Sequence, residues 1–345
     1  MNSGSHWQAY ALGQILKMQG HEVYYYKREK KGTASSFIVQ LNNIARKLFH
    51  LRFLETRDYI KRIISFKKTG KIFSIIDSSS ILYNDIDYFI LGSDTIWNLD
   101  SPYYNKNKTT FWGDIFFNKN IISYAGSIAN TKTEMLADSF YSNSINKWKS
   151  ISVRDTYTKN LFSKLTTKQV HLVCDPTLLL PEKHYRGICK PKTRNYIFLY
   201  LFKKLNHNQD IQLRAFANKY GLEIICGTRR DISSQTDTYI INNPYNFMAY
   251  MLGAKYVVTD TYHGTIFSVN FNKQFVVINR DLTKIQDFLL NVSLADRIID
   301  CESELDYTIS KLINYDLANQ KIQELRSYSL KYLEDSLNES KHRTT

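Results

Sequence analysis

The segment Tyr256-Val-Val-Thr-Asp-Thr-Tyr-His-Gly-Thr-Ile-Phe-Ser268 joins a short apolar run to a second segment with apolar periodicity. The run Tyr256–Val258 predicts a buried strand, and the residues from His263 onward predict a helix. The first turn of a helix has free backbone N–H groups and the positive end of the helix dipole, so it can bind a phosphate or a carboxylate. A histidine at this junction can contact an anion and also transfer a proton. His263 is therefore a candidate catalytic residue.

The same change from an apolar strand to a small or polar cluster recurs along the chain. The predicted strands are 22–26, 88–91, 121–125, 151–153, 170–173, 196–201, 222–226, 256–258 and 275–278. Helix-length segments separate most of them, which predicts parallel βαβ units in an α/β protein. Ligands of such sheets bind beyond the carboxyl ends of the strands. The clusters at these ends include Gly92-Ser93-Asp94, Gly126-Ser127, Arg154-Asp155 and Gly227-Thr-Arg-Arg230.

A chain of 345 residues favours two domains. We predict an N-terminal Rossmann-like domain at 1–178, a C-terminal one at 190–300 and a helical segment at 301–345. Residues 2–6 predict a strand-to-helix loop before a helix at 7–18, so the first strand of the N-terminal sheet is expected to be missing. Either translation starts upstream or the chain is a truncated copy, unless the strand at 22–26 begins the sheet.

The basic charge is concentrated in one segment. The net charge is +14, and residues 27–71 hold 13 Lys and Arg against 3 acidic residues. Within a basic helical insertion at 27–72, the spacing of apolar residues predicts an amphipathic helix at 37–52. This helix would bind an anionic membrane leaflet or a lipid-linked polyanion, or pack on its own domain with solvated charges. Nucleic acid is the weakest alternative, because no nucleic-acid-binding module accompanies the charge.

Other sequence signals favour an intracellular protein. The sequence has no uninterrupted apolar run of 18 residues and no signal peptide, which predicts a cytoplasmic chain, either free or peripheral at the inner face of the membrane. The four cysteines form no Cys-x-x-Cys pair, and no histidine lies at metal-ligand spacing. We expect neither disulfides nor a metal.

Six motifs occur in order over nearly the whole chain: Gln8-Ala-Tyr-Ala-Leu12, the stretch 89–98, the stretch 122–127, the stretch 151–155, Asp175-Pro-Thr177 and the stretch 259–265. Together they resemble the polysaccharide pyruvyl transferase family. Thr261-Tyr262 replaces the family's commoner Ser-Phe. The resemblance implies a glycosyltransferase-B-like pair of Rossmann-like domains that face a cleft, with the acceptor on the N-terminal domain and the donor on the C-terminal domain.

The resemblance also implies a reaction. The three-carbon unit of phosphoenolpyruvate would be transferred to sugar hydroxyls of a surface or capsular polysaccharide or its precursor, forming a pyruvate ketal. It leaves open whether the saccharide acceptor is lipid-linked. No cofactor is implied beyond phosphoenolpyruvate as the donor substrate.

Two residues are assigned roles in this reaction. Protonation of the methylene carbon of phosphoenolpyruvate generates an oxocarbenium-like centre, so the site needs a general acid and an anion clamp. We assign His263 as the acid and Arg154 as the clamp, since a guanidinium meets an oxyanion with two hydrogen bonds. Both match the family's motif positions. Alternatively, His263 only neighbours the helix cap, and Arg154 pairs with Asp155 or another acid.

Other candidates at the strand ends have weaker assignments. Gly264 and Thr265 are expected to offer N–H and hydroxyl groups to the phosphate, and Asp260 to orient His263 or cap the helix. His6 is a candidate for lining the cleft.

Gly92, Ser93 and Asp94 would bind acceptor hydroxyls or simply form the turn. Arg229 and Arg230 would face the cleft or lie in a solvated loop.

Two other functions remain open at this point. One is a nucleotide-sugar glycosyltransferase, although the sequence offers no recognisable ribose-binding acid or base-stacking pocket. The other is an inactive truncated paralogue that acts as a binding module.

Overall fold

A computed structural model of the chain describes residues 3–27, 53–116, 118–278, 283–300 and 305–338. The strands are β1 (Tyr25–Tyr26), β2 (Ile75–Ile76), β3 (Tyr88–Leu91), β4 (Asn120–Ser123), β5 (Ile151–Val153), β6 (Val170–Leu172), β7 (Tyr196–Tyr200), β8 (Glu223–Cys226), β9 (Thr238–Tyr239), β10 (Tyr256–Thr259), β11 (Gln274–Ile278) and β12 (Ile298–Ile299). Of the strand predicted at 22–26, only β1 forms.

The helices begin with α1 (Ser3–Met18), α2 (Phe53–Thr69), α3 (Pro102–Lys106), α4 (Lys108–Phe111), α5 (Ser139–Lys147), α6 (Thr156–Leu165), α7 (Pro176–Leu179) and α8 (Glu182–Ile188). They continue with α9 (His207–Tyr220), α10 (Pro244–Gly253), α11 (Tyr262–Asn270), α12 (Thr283–Asn291), α13 (Leu305–Ser310) and α14 (Asp316–Asn338). The predicted basic helix at 37–52 and Cys301 lie outside the described residues. Cys174, Cys189 and Cys226 are free and buried.

The strands of the second half form one sheet in the order β12-β11-β10-β7-β8-β9, and all neighbouring pairs are parallel. Counted from β7, this is the doubly wound strand order 3-2-1-4-5-6. The order reverses between β7 and β10, where Tyr200 pairs with Thr259. The crevice beyond the carboxyl ends of these two strands is where ligands of such sheets bind. His263 follows β10 and therefore lies at this switch point.

The strands of the first half are also parallel, in the pairs β1-β2, β3-β4 and β5-β6. Isolated bridges from Ile122 to Ser150 and from Gly126 to Val153 join β4 to β5. The carboxyl ends of β3 to β6 consequently lie at one edge. The predicted limits of the two domains stay a prediction.

Residues 3–6 belong to α1, so the loop predicted at 2–6 was wrong for these described residues. Tertiary contacts overcome the low helix propensity of the Ser-Gly-Ser sequence at this end of α1. Ser3 Oγ donates to Asn242 Oδ1 at 2.7 Å, and Ser5 Oγ donates to Asp94 Oδ2. Gly4 packs so closely against His263 that an added Cβ would lie 2.2 Å from the ring. The N-terminus of α1 thus lies between the two halves of the molecule.

Within the helical segment predicted at 301–345, the described residues form two helices, α13 and α14, with a break at 311–315. α14 packs on the strands of the first half: Tyr332 Oη donates to the carbonyl of Ser123 at 2.8 Å, and Ser329 Oγ accepts from the amide of Cys174 at 2.8 Å. The largest apolar cluster includes residues of α1, α7, α11 and α14, so one core spans both halves. Among the described helices, none has the length and apolar character needed to cross a bilayer.

Candidate active site

Arg154 lies at the centre of the cleft, immediately after β5. Its Nη1 donates to the carbonyl of Ser93 and to Asp175 Oδ2, both at 3.0 Å, and its Nη2 lies 3.4 Å from Asp94 Oδ1. The guanidinium is 1% exposed. These contacts use three of its five N–H donors, and Nε is buried without a hydrogen-bond partner in the described residues. Arg154 therefore pairs with two acids, neither of them the Asp155 considered from the sequence, and two of its five N–H donors have no partner in the described residues.

α1 closes one side of this charged cluster. Gln8 Nε2 donates to Asp175 Oδ2 at 2.6 Å and to the carbonyl of Ser93 at 2.7 Å. With the bond from Ser5 to Asp94, the helix contacts both carboxylates that pair with Arg154. Gln8 belongs to the first of the six motifs, but sequence reasoning did not place it at the site.

His263 is buried at the start of α11, and its Nε2 has no hydrogen-bond partner in the described residues. An unpartnered polar atom inside a protein requires an explanation, and a ligand that completes the site is one. Burial lowers the pKa of His263, although the charges of Asp175 and Asp94 oppose this shift. The imidazole is therefore biased toward its neutral form in the unliganded cleft, close to two carboxylates and one guanidinium.

Lys284, on α12, is a second cation of the cleft that the sequence analysis did not select. Its Nζ lies 5.5 Å from the centroid of the Tyr262 ring, and the guanidinium carbon of Arg154 lies 4.6 Å from the same centroid. Burial and the charge of Arg154 lower the pKa of Lys284 to about 8. No acid of the described residues forms an ion pair with it. Ligands of parallel sheets bind beyond the carboxyl ends of the strands, so the end of β11 would have indicated the residues that follow Ile278.

The electrostatics of the cluster favour a fixed pair of ions. Burial alone would raise the pKa of Asp94, but the charge of Arg154 holds it well below its usual value. Burial alone would lower the pKa of Arg154, yet Tyr262 and the surrounding carboxylates raise it. Both groups therefore remain charged and form a stable ion pair in the cleft.

Gly264 and Thr265 use their polar groups within α11, which differs from the roles expected for them. The amide of Gly264 donates to the Oγ1 of the N-cap residue Thr261 at 3.0 Å. The amide and the hydroxyl of Thr265 both donate to the carbonyl of Thr261. Neither residue offers an N–H to a phosphate here. Asp260 accepts from the amides of Phe202 and Lys203, so it connects the loops after β7 and β10, and the cap is Thr261.

Of the cluster after β3, Asp94 contributes its side chain and Ser93 its carbonyl. Gly92 has a φ of +149°, and an added Cβ would lie 1.9 Å from the carbonyl oxygen of Tyr124, so only glycine fits. Gly92 therefore forms the turn. Asp94 remains accessible from the cleft, with its side chain 23% exposed.

The structure places Arg229 and Arg230 in other contacts. Arg229 pairs with Asp231 on the surface, and Arg230 Nε donates to Asp58 Oδ2 of α2 at 2.8 Å. The Arg230 guanidinium also lies over the ring of Tyr239. His6 packs edge-on against Trp7 and Phe73, with a buried Nε2 that has no partner in the described residues.

Comparison with solved structures places this architecture among known folds. A structure from Listeria monocytogenes described as a UDP-N-acetylglucosamine 2-epimerase is similar, with a TM-score of 0.52, 9% identity and coverage of 81% of this chain and 87% of that chain. The UDP-GlcNAc 2-epimerase of Neisseria meningitidis bound to UDP-GlcNAc gives a TM-score of 0.46 at 12% identity, covering 95% of this chain and 97% of that chain. The structure of Arabidopsis thaliana UGT89C1 complexed with UDP-L-rhamnose gives a TM-score of 0.45 at 12% identity, covering 95% of this chain and 91% of that chain.

The first of these similarities confirms the predicted fold, in which two Rossmann-like units face a cleft in a glycosyltransferase-B-like arrangement. No curated protein sequence matches the chain. A sequence model of one family, polysaccharide pyruvyl transferase, matches residues 2–281. This range includes all six motifs and every site residue described above except Lys284, and it covers most of the chain. The protein therefore belongs to the polysaccharide pyruvyl transferase family.

Proposed function

We propose that the protein transfers the three-carbon unit of phosphoenolpyruvate to hydroxyl groups of a saccharide, forming a pyruvate ketal. The observation that carries the proposal is the buried His263, whose Nε2 is unpartnered and lies in the same cluster as two cations, Arg154 and Lys284. Phosphoenolpyruvate carries a carboxylate and a phosphate. Cations that are fixed in a cleft suit such a donor better than solvated ones.

The chemistry then follows from the charge of the donor. An anion that binds close to His263 favours its imidazolium form and so opposes the effect of burial on the pKa. The charged ring can protonate the methylene carbon, while Arg154 and Lys284 stabilise the phosphate that leaves. The site would thus generate its general acid only when the donor is bound.

The acceptor is proposed to lie at a membrane surface, with the protein on the cytoplasmic side. α2 supports this by presenting basic and apolar residues on one exposed face, at spacings of three and four. The members of this face are Arg57, Ile60, Lys61, Ile64, Lys67 and Lys68. Ile64 is 61% exposed, and Asp58 of the same helix is turned toward Arg230. Such a face binds an anionic lipid surface.

The test is phosphate release from phosphoenolpyruvate in the presence of methyl glycosides of galactose, glucose and mannose. We expect release by the parent protein and a loss of about 100-fold or more in His263→Ala, the usual contribution of a general acid. His207→Ala, an exposed histidine of α9, is the matched control and should keep full activity. Turnover of a nucleotide sugar without phosphate release from phosphoenolpyruvate would refute the proposal, as would an active His263→Ala variant.

A further inference from the structure

A polar cavity lies between the two halves, next to the charged cluster. The first half contributes Ser127, Ala129, Asn130, Asp155 and Tyr157 to its lining, and α12 contributes Lys284 and Asp287. Asn130 and Tyr157 are exposed, so the cavity is open to solvent on that side. A second cavity, which contains Arg154 and Tyr262, shares Asp155 and Asp287 with the first. The two carboxylates therefore line both cavities, and the cations of the proposed donor site lie beside them, Lys284 in the open cavity and Arg154 in the second one.

Only one of the two carboxylate oxygens of Asp155 accepts hydrogen bonds within the described residues. Its Oδ1 caps α6 by accepting from the amide and the hydroxyl of Thr158, at 2.8 and 2.7 Å. Its Oδ2 is buried without a hydrogen-bond partner among the described residues, on a residue that is only 6% exposed. A buried carboxylate oxygen needs a donor, and a hydroxyl group of a ligand in the cavity would supply one.

Asp287 faces Asp155 across the junction of the two halves. Burial and the charge of Asp155 raise the pKa of Asp287, while the amide of Thr156 opposes the shift. The rise makes Asp287 a stronger base than an ordinary surface aspartate. Lys284 lies one helical turn before it on α12, so a cation of the proposed donor site and a carboxylate base line the same cavity.

We propose that this cavity binds two neighbouring hydroxyl groups of the sugar acceptor and that Asp287 accepts the proton of the attacking hydroxyl. The inference rests on the proposed pyruvyl transfer and adds a base to it. Two carboxylates, an amide and two hydroxyl side chains suit a diol, because each sugar hydroxyl both donates and accepts. The open side at Asn130 and Tyr157 leaves room for the rest of a polysaccharide.

In the proposed reaction, two hydroxyl groups add in turn to C2 of phosphoenolpyruvate. The first hydroxyl gives its proton to Asp287 while its oxygen bonds to C2 of phosphoenolpyruvate, and the methylene carbon takes a proton from His263. The second hydroxyl oxygen then bonds to C2 while the bond from C2 to the phosphate oxygen breaks. The proton of the second hydroxyl group leaves on hydrogen phosphate. The proton held by Asp287 returns to His263 through solvent.

The experiment compares the parent with Asp287→Asn, which keeps the volume of the side chain and removes its basicity. We expect phosphoenolpyruvate binding, measured by calorimetry, to stay within about 3-fold, and phosphate release with the three methyl glycosides to fall about 100-fold or more. Asp306→Asn, at an exposed position of α13, is the matched control and should retain activity. Release by Asp287→Asn within about 3-fold of the parent would overturn the inference.

A second variant separates chemistry from folding. Asp287→Ala should be inactive, and added formate should restore part of its phosphate release because formate can occupy the vacated space as a base. Loss of activity without rescue, in either a folded or an unfolded variant, would indicate a structural role and contradict the inference. A parent protein that releases no phosphate from phosphoenolpyruvate would instead refute the proposed function, so the two failures are distinguishable.

Discussion

At the scale of single residues, Arg154 shows how a motif residue can have both a structural and a chemical role. Its guanidinium joins Asp175 after β6 to Asp94 after β3, and it leaves Nε without a partner. A buried ion of this kind stabilises the fold only while its partners remain. Under the proposed function, the N–H groups that are left unpaired are the ones that would bind the donor anion.

Replacement of this cation should therefore destabilise the protein strongly. Arg154→Met leaves Asp175, whose side chain is fully buried, and Asp94 without their cation, so we expect a loss of about 3–5 kcal/mol in the free energy of unfolding. Urea unfolding followed by circular dichroism measures this loss. Arg194→Met is the control, because Arg194 is 65% exposed where it pairs with Glu223, and such a surface pair contributes about 0–1 kcal/mol. Equal losses in the two variants would contradict the buried pairing.

At the scale of elements, α1 matters because it reaches the site at its first turn. Gly4 lies against the His263 ring, and Ser5 and Gln8 contact the carboxylates that pair with Arg154. The helix therefore sets the position of the proposed acid, although it carries no group with an assigned chemical role.

A methyl group at Gly4 should disturb the site through this contact. In Gly4→Ala the new Cβ would lie 2.2 Å from His263, so either the ring or the helix must shift. We expect turnover to fall at least about 10-fold and stability to fall by about 1–3 kcal/mol, the usual cost of overpacking. Gly187→Ala in α8 is the control: its Cβ meets open space, and alanine should stabilise that helix by about 0.5–1 kcal/mol. Unchanged turnover in Gly4→Ala would show that the ring position is not critical.

The exposed face of α2 leads to a prediction about membranes. Parent protein should sediment with vesicles that contain phosphatidylglycerol and should bind phosphatidylcholine vesicles weakly, because the attraction is electrostatic. The triple variant Lys61→Glu, Lys67→Glu, Lys68→Glu should lose most of the binding, since each basic residue contributes about 1 kcal/mol near an anionic surface. Lys190→Glu, an exposed position outside α2, serves as the control. Equal sedimentation of the parent and the triple variant would rule out this face as the contact.

At the scale of the whole molecule, two histidines, the partly buried His6 and the buried His263, link stability to pH. Burial lowers the pKa of His6 to about 4 and also lowers the pKa of His263. In the unfolded chain both groups take up a proton near pH 6.5, whereas in the folded protein they do so only at lower pH. Unfolding therefore becomes more favourable as the pH falls from 6.5 toward 4.

We expect the melting temperature to fall between pH 7 and pH 5 and the fall to be smaller in His6→Phe. The aromatic replacement keeps the edge contacts with Trp7 and Phe73 and removes the ionisation, which restores about 1 kcal/mol at pH 5 after allowance for partial exposure. Thermal unfolding at the two pH values measures the difference. The same fall in parent and variant would mean that His6 does not contribute.

The amino-acid sequence by itself determined nine of the twelve described strands at least in part, the Rossmann-like α/β class and the position of His263 just after β10, but it missed the short strands β2, β9 and β12. Apolar runs and their polar ends can be recognised from neighbours in sequence, because the alternation of side chains along a strand and the length of its apolar run are local properties. The ordered motifs also determined the family, over residues 2–281.

Only the tertiary structure decided which groups meet. Arg154 pairs with a carboxylate 60 residues away and another 21 residues away, and the first turn of α1 packs on a histidine of the second half. Lys284 enters the cleft without any motif, and the polar groups of Gly264 and Thr265 are used within their own helix. Such pairings depend on how strand ends and helix ends from the two halves converge, and local periodicity carries no information about that convergence.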